Sequence, residues 1–364
     1  MATVPPGLQR PWIFELFPGL KQNLPWTPLI NAPTPTEKLE AVSKFLGKEV
    51  WIKRDDKTSP IYGGNKPRKL EFILAQALSL GRKTLVTGGG LGTNHGLATA
   101  IFGQEMNLDV ALGLFPQPVT DHVRKNLLLF HAHGAETVCF SSMLKAVLYY
   151  YVIERIRRGN AYFIPPGGSS PLGTLGYVDA GLELAMQVNR GDLPLPQVIF
   201  VAAGTCGTTA GLILGLKLGG IEAPVMGVQV AYGMFSSPKT VLNLARKTLR
   251  LMRSSDHSVP EVTITADDIF FDSEHLGAGY GHPTDEGRSA LALMSEMEDV
   301  SLDITYTAKT FGALLRYVKT HPVDGPVLFW NTFNSVDLSH KTTGIQYDLL
   351  PRQFHRFFEC DLVS

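Results

Sequence analysis

Lys66 stands behind a double glycine and an asparagine, in the run IYGGNKPRKLEF at residues 61–72. Lysines ordinarily occupy solvated helix faces, and glycine pairs ordinarily make turns. Here Leu70, Ile73, Leu74, Ala77 and Leu78 recur at helical spacing, so a helix with one buried face begins at this point. Pro67 suits its first turn, where a missing N–H costs nothing. Lys66 therefore sits at a helix start beside backbone that only glycines leave bare. That is a poor place for a solubility lysine and a good one for a reactive amine.

Two glycine-rich turns offer chemistry of another kind. GTCGTTAG at 204–211 follows the apolar strand VIFVAA and precedes the apolar helix LILGLKL. Backbone N–H groups and the positive end of a helix converge there, which suits a phosphate. Thr205, Thr208 and Thr209 add hydroxyl donors. A tight connection needing glycine only for its geometry is the plainer reading, but glycines, threonines and strand–turn–helix context together favour an anion site. GGGLGTNHG at 88–96 places Thr93, Asn94 and His95 at the end of a strand, where open parallel sheets bind ligands. Thr93 or Asn94 also suits an N-cap, with His95 an ordinary helix residue, and a cap is compatible with ligand contact. As a dinucleotide fingerprint the run fails, because Thr93 stands where the third glycine belongs and Asp109 begins the next strand instead of ending it. No GxxxxGK[ST] run occurs, which excludes a P-loop.

The elements that must position these residues alternate. Strands are expected at 84–87, 109–115, 136–140, 198–203, 225–230 and 327–330, with helices from about His95, through Asn126–His131, over Ser142–Arg158 and near Asp179–Gln187. Such alternation indicates parallel sheets covered by helices. The first forty residues, with Pro5, Pro6, Pro33 and Pro35, read as an extended lead-in. PPGGSSPLGTLGY at 165–177 reads as a long irregular turn, a domain crossover or the edge of a cleft, and 233–285 as the least regular portion. A chain of 364 residues exceeds one ordinary core, so two domains are expected. Lys plus Arg and Asp plus Glu balance at 33 each, which recommends neither nucleic acid nor an anionic membrane as partner. No apolar run reaches the ~18–20 residues of a bilayer span. MATVPPGLQRPW lacks the basic-then-apolar pattern of a signal peptide. Cys139, Cys206 and Cys360 are odd in number and far apart, which suggests neither a disulfide framework nor a metal site and points to a reducing, cytoplasmic setting.

In order along the chain, GGNKPRKLE, GGGLGTNH, PPGGSSPLGTLGY, AAGTCGTTAGL, GAGYGHPTDEG and ITYTAKT resemble the aminocyclopropane-carboxylate deaminase and D-cysteine desulfhydrase family. The resemblance runs from about Pro33 to Phe329. It implies pyridoxal 5'-phosphate on the tryptophan-synthase β-subunit-like fold: an α/β protein of two open, mostly parallel twisted sheets covered by helices, with the cofactor in the cleft between a smaller and a larger domain. The large domain is expected at 1–68 plus 176–364 and the small one at 69–175.

By the same resemblance Lys66 is the Schiff-base lysine. An unperturbed lysine titrates near ~10.4, so burial or nearby positive charge must lower it before it serves as a nucleophile at neutral pH. Gly204, Thr205, Cys206, Gly207 and Thr208 would hold the phosphate, with Lys69 adding a cation. Asn94 would bond the ring hydroxyl, and Thr307 would face the pyridine nitrogen and leave it largely unprotonated. Thr93, Asn94, His95, Tyr280 and Tyr306 would serve the substrate, with Thr93, Tyr280 and Tyr306 joining Lys66 in catalysis. Three departures stand out: Thr93 replaces a serine, WNTFNS at 330–335 replaces a glycine-rich His-Thr-Gly-Gly ending, and Cys206 replaces a glycine, setting a candidate reactive thiol beside the phosphate. The implied activity is a cytoplasmic, homodimeric deaminase or desulfhydrase (lyase or hydrolase) of a small D-cysteine-like or aminocyclopropane-carboxylate-like amino acid, releasing ammonia and a 2-oxo acid. The alternative is a lapsed member that binds cofactor or amino acid without turnover.

Overall fold

The computed structural model describes residues 11–150 and 154–363. Pro5 and Pro6 of the expected lead-in, and 151–153 of the expected Ser142–Arg158 helix, lie outside them. Along the chain the strands are β1 (Thr36–Lys38), β2 (Val50–Lys53), β3 (Thr84–Gly90), β4 (Asp109–Phe115) and β5 (Glu136–Cys139). They continue as β6 (Tyr162–Phe163), β7 (Val198–Ala203), β8 (Val225–Gln229), β9 (Phe270–Asp272) and β10 (Val327–Trp330). The chain divides into two compact units, one formed by the described residues up to Phe72 with Ser169–Ser335, the other by Ile73–Gly168 with the chain from Val336 onward.

The large unit holds a six-stranded sheet in the order β1-β2-β10-β7-β8-β9, parallel except for β1 against β2. VIFVAA of β7 is buried along its whole length, the continuous apolar run that a parallel strand covered on both faces requires. Helices Pro171–Arg190 and Gly207–Leu218 pack together on this sheet through glycines. A Cβ on Gly215 would lie 2.2 Å from the Val178 carbonyl oxygen, so no larger residue allows that approach. The small unit holds the parallel sheet β5-β4-β3-β6, with Thr84 opposite Asp109 and Gly90 opposite Phe115.

Three expectations are corrected. Residues 12–23 are not extended: helices Trp12–Leu16 and Pro18–Asn23 bury Ile13, Phe14 and Leu20, and the Ile13 N–H donates to Asp179 Oδ1 at 3.0 Å. The irregular turn at 165–177 ends early, because Ser170 caps a helix starting at Pro171 and accepts from the Gly173 N–H at 3.1 Å. Within 233–285, in keeping with helix signals interrupted by loops, the helix Pro238–Ser255 is capped by Ser237 and buries Val241, Leu244, Ala245, Thr248 and Met252. It is followed by short elements alone up to the helix at Asp285. The C-terminal segment groups with the small unit, not the large one: Arg124 donates to the Phe357 carbonyl at 2.9 Å and Lys125 to Ser339 Oγ at 2.9 Å. The boundary after Phe72 also falls inside the helix Lys66–Ser79, four residues beyond the expected one.

Beneath the sheet of the large unit lies a wholly buried charge network. Arg68 donates to Asp55 Oδ1 at 2.8 Å and Glu183 Oε2 at 3.0 Å, while Lys53 donates to Glu183 Oε1, Gln187 Oε1 and the Thr34 carbonyl. Tyr177 and Trp330 each donate to Asp55 Oδ2 at 2.7 Å. Removing one member leaves charge buried without a partner. Glu183→Ala is therefore expected to lower unfolding stability by about 3–5 kcal/mol. Glu274→Ala, which breaks an exposed pair with Arg316, should cost less than about 1 kcal/mol. Denaturant unfolding of both variants checks this, and equal losses would contradict it.

Candidate active site

Lys66 is the first residue of its helix, and the glycines before it are there for close approach. A Cβ on Gly63 would lie 2.0 Å from the Asp56 carbonyl oxygen, and one on Gly64 (φ 84°) 2.7 Å from that of Thr332. The loop is tied on every side. The Gly63 N–H donates to Asn334 Oδ1 at 2.6 Å, the Gly64 N–H to the Asp55 carbonyl at 2.8 Å, and the Asn65 N–H to the Thr332 carbonyl at 3.2 Å. WNTFNS therefore does structural work for this loop: Trp330, Thr332 and Asn334 each supply one of its bonds or those of the network below. Burial pushes the Lys66 amine down to about 8, against the opposing pull of the Asp303 carboxylate.

The 204–208 turn runs from β7 into the helix Gly207–Leu218. Gly204, Thr205, Gly207 and Thr208 converge there with groups from elsewhere. Ser169 Oγ pairs with the Thr205 hydroxyl at 2.7 Å and accepts from the Gly207 N–H at 3.2 Å and Lys69 Nζ at 3.3 Å. Asn65 Nδ2 donates to Thr208 Oγ1 at 3.1 Å, joining the turn to the lysine loop. A Cβ on Gly207 would lie 2.6 Å from Ser169 Oγ and 2.9 Å from Lys69 Nζ. Burial first and the Lys66 charge second push Lys69 well below the usual lysine range. Two neighbouring buried amines, hydroxyls and a helix N-terminus make a cradle for a dianion, and a phosphate there would relieve both causes.

Cys206, at φ 64°, shapes this turn, but its thiol is not reactive. Burial pushes it up to about 11, and it donates to the Phe235 carbonyl at 3.5 Å, so the thiolate is scarce at neutral pH.

Asp303 organises the third group. Its Oδ1 accepts from the N–H groups of Thr305 at 3.0 Å and Tyr306 at 2.7 Å, fixing the turn that leads into the helix Thr307–Thr320. Thr307 Oγ1 donates to Asp303 Oδ2 at 2.9 Å and accepts from the Asp303 N–H at 2.8 Å. Tyr280 and Tyr306 share a hydroxyl–hydroxyl bond of 2.7 Å, their rings edge-on at 6.0 Å. Burial pushes Tyr280 up to about 12 and Tyr306 further, so both keep their protons at neutral pH. Gly204 lies against this pair, a Cβ there falling 3.6 Å from Tyr306 Cε1.

Thr93, Asn94 and His95 belong to the small unit. Thr93 caps the helix Asn94–Glu105, its Oγ1 accepting from the Gly96 N–H at 3.2 Å. Asn94 Oδ1 contacts His122 Nε2 at 2.9 Å and accepts from Asn126 Nδ2 at 3.3 Å, which engages the oxygen of its amide within the small unit. His95 is buried in the same helix. Three contributors escaped the sequence analysis: Ser169, Asp303 and Asn334. Ser169 lies in a turn already singled out, and Asp303 binds the N–H groups two and three residues on, as aspartates in turns commonly do.

A buried amine of lowered proton affinity beside an anion cradle is what a phosphate-bearing aldehyde cofactor needs, and the residues fit pyridoxal phosphate. The family model for pyridoxal-phosphate-dependent enzymes matches residues 28–332, and the chain belongs to that family. It is 35% identical over 324 residues to a D-cysteine desulfhydrase of Klebsiella pneumoniae (strain 342), covering 85% of this chain and 95% of that protein. Its fold superposes on a crystal structure described as an ACC deaminase homologue with a TM-score of 0.75 at 29% identity, over 93% of this chain and all of the other. A threonine deaminase isoform 2 from Solanum lycopersicum shares the fold, with a TM-score of 0.61 at 17% identity over 93% of this chain and 90% of that one.

The cradle makes a prediction about Gly207. Gly207→Leu should weaken cofactor affinity roughly ten- to a hundredfold through overpacking against Ser169 and Lys69. Thr209→Val, at a buried hydroxyl without a hydrogen-bond partner, should leave it unchanged. Cofactor titrations followed by visible absorbance decide between them, and parental affinity in Gly207→Leu would rule the cradle out.

Proposed function

We propose that the protein is a desulfhydrase or deaminase of a small amino acid, D-cysteine-like or aminocyclopropane-carboxylate-like, releasing ammonia and a 2-oxo acid. From cysteine it would also release sulfide, with uptake of one water. The observation that carries this reading is the Lys66 amine, pushed down to about 8 beside the cradle of Lys69, Ser169 and Gly207. The D-cysteine desulfhydrase at 35% identity and the ACC deaminase homologue at 29% support the substrate class. When bound, pyridoxal phosphate supplies an electron-withdrawing ring that stabilises negative charge at the substrate carbon bearing the amino group.

The chain's own residues take the remaining roles. Lys66 would hold the cofactor's aldehyde, and its amine, pushed down to about 8 by burial, would serve as the base that takes a proton from that carbon. Lys69, Ser169 and the 204–208 turn would hold the phosphate, and Asn94 would bond the ring hydroxyl. Thr307, its hydroxyl held by Asp303 at 2.9 Å, would face the ring nitrogen and leave it largely unprotonated. Thr93 and His95 orient the substrate carboxylate. Tyr280 and Tyr306 relay a proton to the leaving group, since both stay protonated at neutral pH. The role of WNTFNS in holding the lysine loop weighs against a lapsed enzyme. We place this activity in the cytoplasm and in a homodimer, a setting that the free thiols of Cys139, Cys206 and Cys360 suit.

A screen of small D- and L-amino acids against the cofactor-loaded protein tests the proposal. Sulfide or 2-oxo acid should appear with D-cysteine or aminocyclopropane-carboxylate. A loaded protein whose visible spectrum responds to none of them would overturn it. On a working substrate, Thr93→Ser should keep or raise kcat/KM, because removing a methyl opens room. Thr93→Val should lower it roughly ten- to a hundredfold by leaving a charged carboxylate short of a donor. Parental kcat/KM in Thr93→Val would leave Thr93 as a cap alone.

A further inference from the structure

Lys309 lies in the first turn of the helix Thr307–Thr320, in the run ITYTAKT, and its side chain is wholly buried. A buried lysine needs acceptors, and this one finds them in the loop that carries Tyr280. Its Nζ donates to the Leu276 carbonyl at 2.7 Å and to the Gly279 carbonyl at 3.2 Å. The same Gly279 oxygen accepts the His282 N–H at 3.3 Å, closing the turn around Tyr280. That loop, GAGYG at 277–281, has Gly277 at φ 65°, Gly279 at φ 131° and Gly281 at φ 79°. Glycines in such conformations carry more backbone freedom than any other residue, and ordering them is costly. Left to itself, the loop would let Tyr280 wander.

We propose that Lys309 is a positioning residue for Tyr280: by binding the Leu276 and Gly279 carbonyls it holds the glycine loop so that the Tyr280 hydroxyl stays bonded to that of Tyr306. One short helix thus fixes Tyr280 twice. Tyr306, at its N-cap, takes the hydroxyl, and Lys309, three residues on, takes the backbone. Burial pushes the Lys309 amine down to about 8, with Asp303 opposing. The ammonium, with three donors and no acceptor, is the form these carbonyls favour. The role of Tyr280 in turnover rests on the proposed activity, whereas the restraint on its loop does not.

Hydrogen exchange and kinetics of Lys309→Met, Lys309→Gln and Lys309→Arg in the cofactor-loaded protein test this. Amide exchange over 276–282 should quicken at least tenfold in Lys309→Met while the helix Pro171–Arg190 is unaffected. On a working substrate kcat should fall roughly ten- to a hundredfold with KM and cofactor absorbance near parental, the loss expected for bonds to a charged donor. In a Tyr280→Phe background the same substitution should cost little more, and Lys309→Arg should restore part of the rate. Unchanged exchange over 276–282, or a full additional loss in the Tyr280→Phe background, would overturn the proposal. If Lys309→Met does not fold, Lys309→Gln, which keeps one donor, carries the same readouts. If no substrate is found, the exchange arm alone decides whether Lys309 holds the loop.

Discussion

Arg68 follows Lys66 by two residues, and its guanidinium is locked between Asp55 and Glu183 where no water reaches. Every other feature of the lysine site hangs on that placement. Asp55 takes Arg68 on one side and Tyr177 and Trp330 on the other, and its carbonyl accepts the Gly64 N–H. One residue therefore touches the helix carrying the lysine, the glycine turn before it and the end of the central strand β10. Burial alone would push the Glu183 carboxyl up, but Arg68 and Lys53 overcome it and leave it down at about 2. Glu183 therefore stays ionised throughout the physiological range, and its pairs with Arg68 and Lys53 hold the start of the helix at one depth in the fold.

That rigidity allows the site above it to be electrostatically uncomfortable. Burial pushes both Lys66 and Lys69 down; the Lys66 charge adds to the effect on Lys69, while the Asp303 carboxylate opposes it at Lys66. A scaffold that relaxed easily would let the two amines turn outward to solvent. Here the backbone around them leaves no space, as the contacts met by a Cβ at Gly63, Gly64 or Gly207 show. The discomfort suits the proposed roles, a nucleophilic amine at Lys66 near neutral pH and an anion beside Lys69. A cofactor carrying both an aldehyde and a phosphate answers both.

Much of this was legible from residue types alone, and what was missed has common causes. The lysine helix announced itself through Pro67 and apolar periodicity, and β4 and β10 through unbroken apolar runs. The starts of helices Pro171–Arg190 and Pro238–Ser255 were hidden because each opens on Ser-Pro, a pair that reads as a turn until the serine is recognised as a cap and the proline as the first helical residue. The segment after Val336 could not be assigned, since what ties it down is long-range: Arg124 reaches carbonyls more than two hundred positions away. Ser169 was missed for the same reason, its partners lying at Lys69 and Gly207. The sequence does carry the Asp303 signal. Its consequence, a Thr307 hydroxyl tied to the Asp303 carboxylate, appears only in three dimensions.

The central claim is that Lys66, and no other amine, is poised to react with the cofactor. Reducing the pyridoxal-phosphate-loaded protein with borohydride, digesting it and locating the added mass by mass spectrometry tests that most directly. The account predicts a single labelled peptide with the cofactor on Lys66, and no visible cofactor band in Lys66→Ala. Label on Lys69, Lys57 or any other lysine would contradict it.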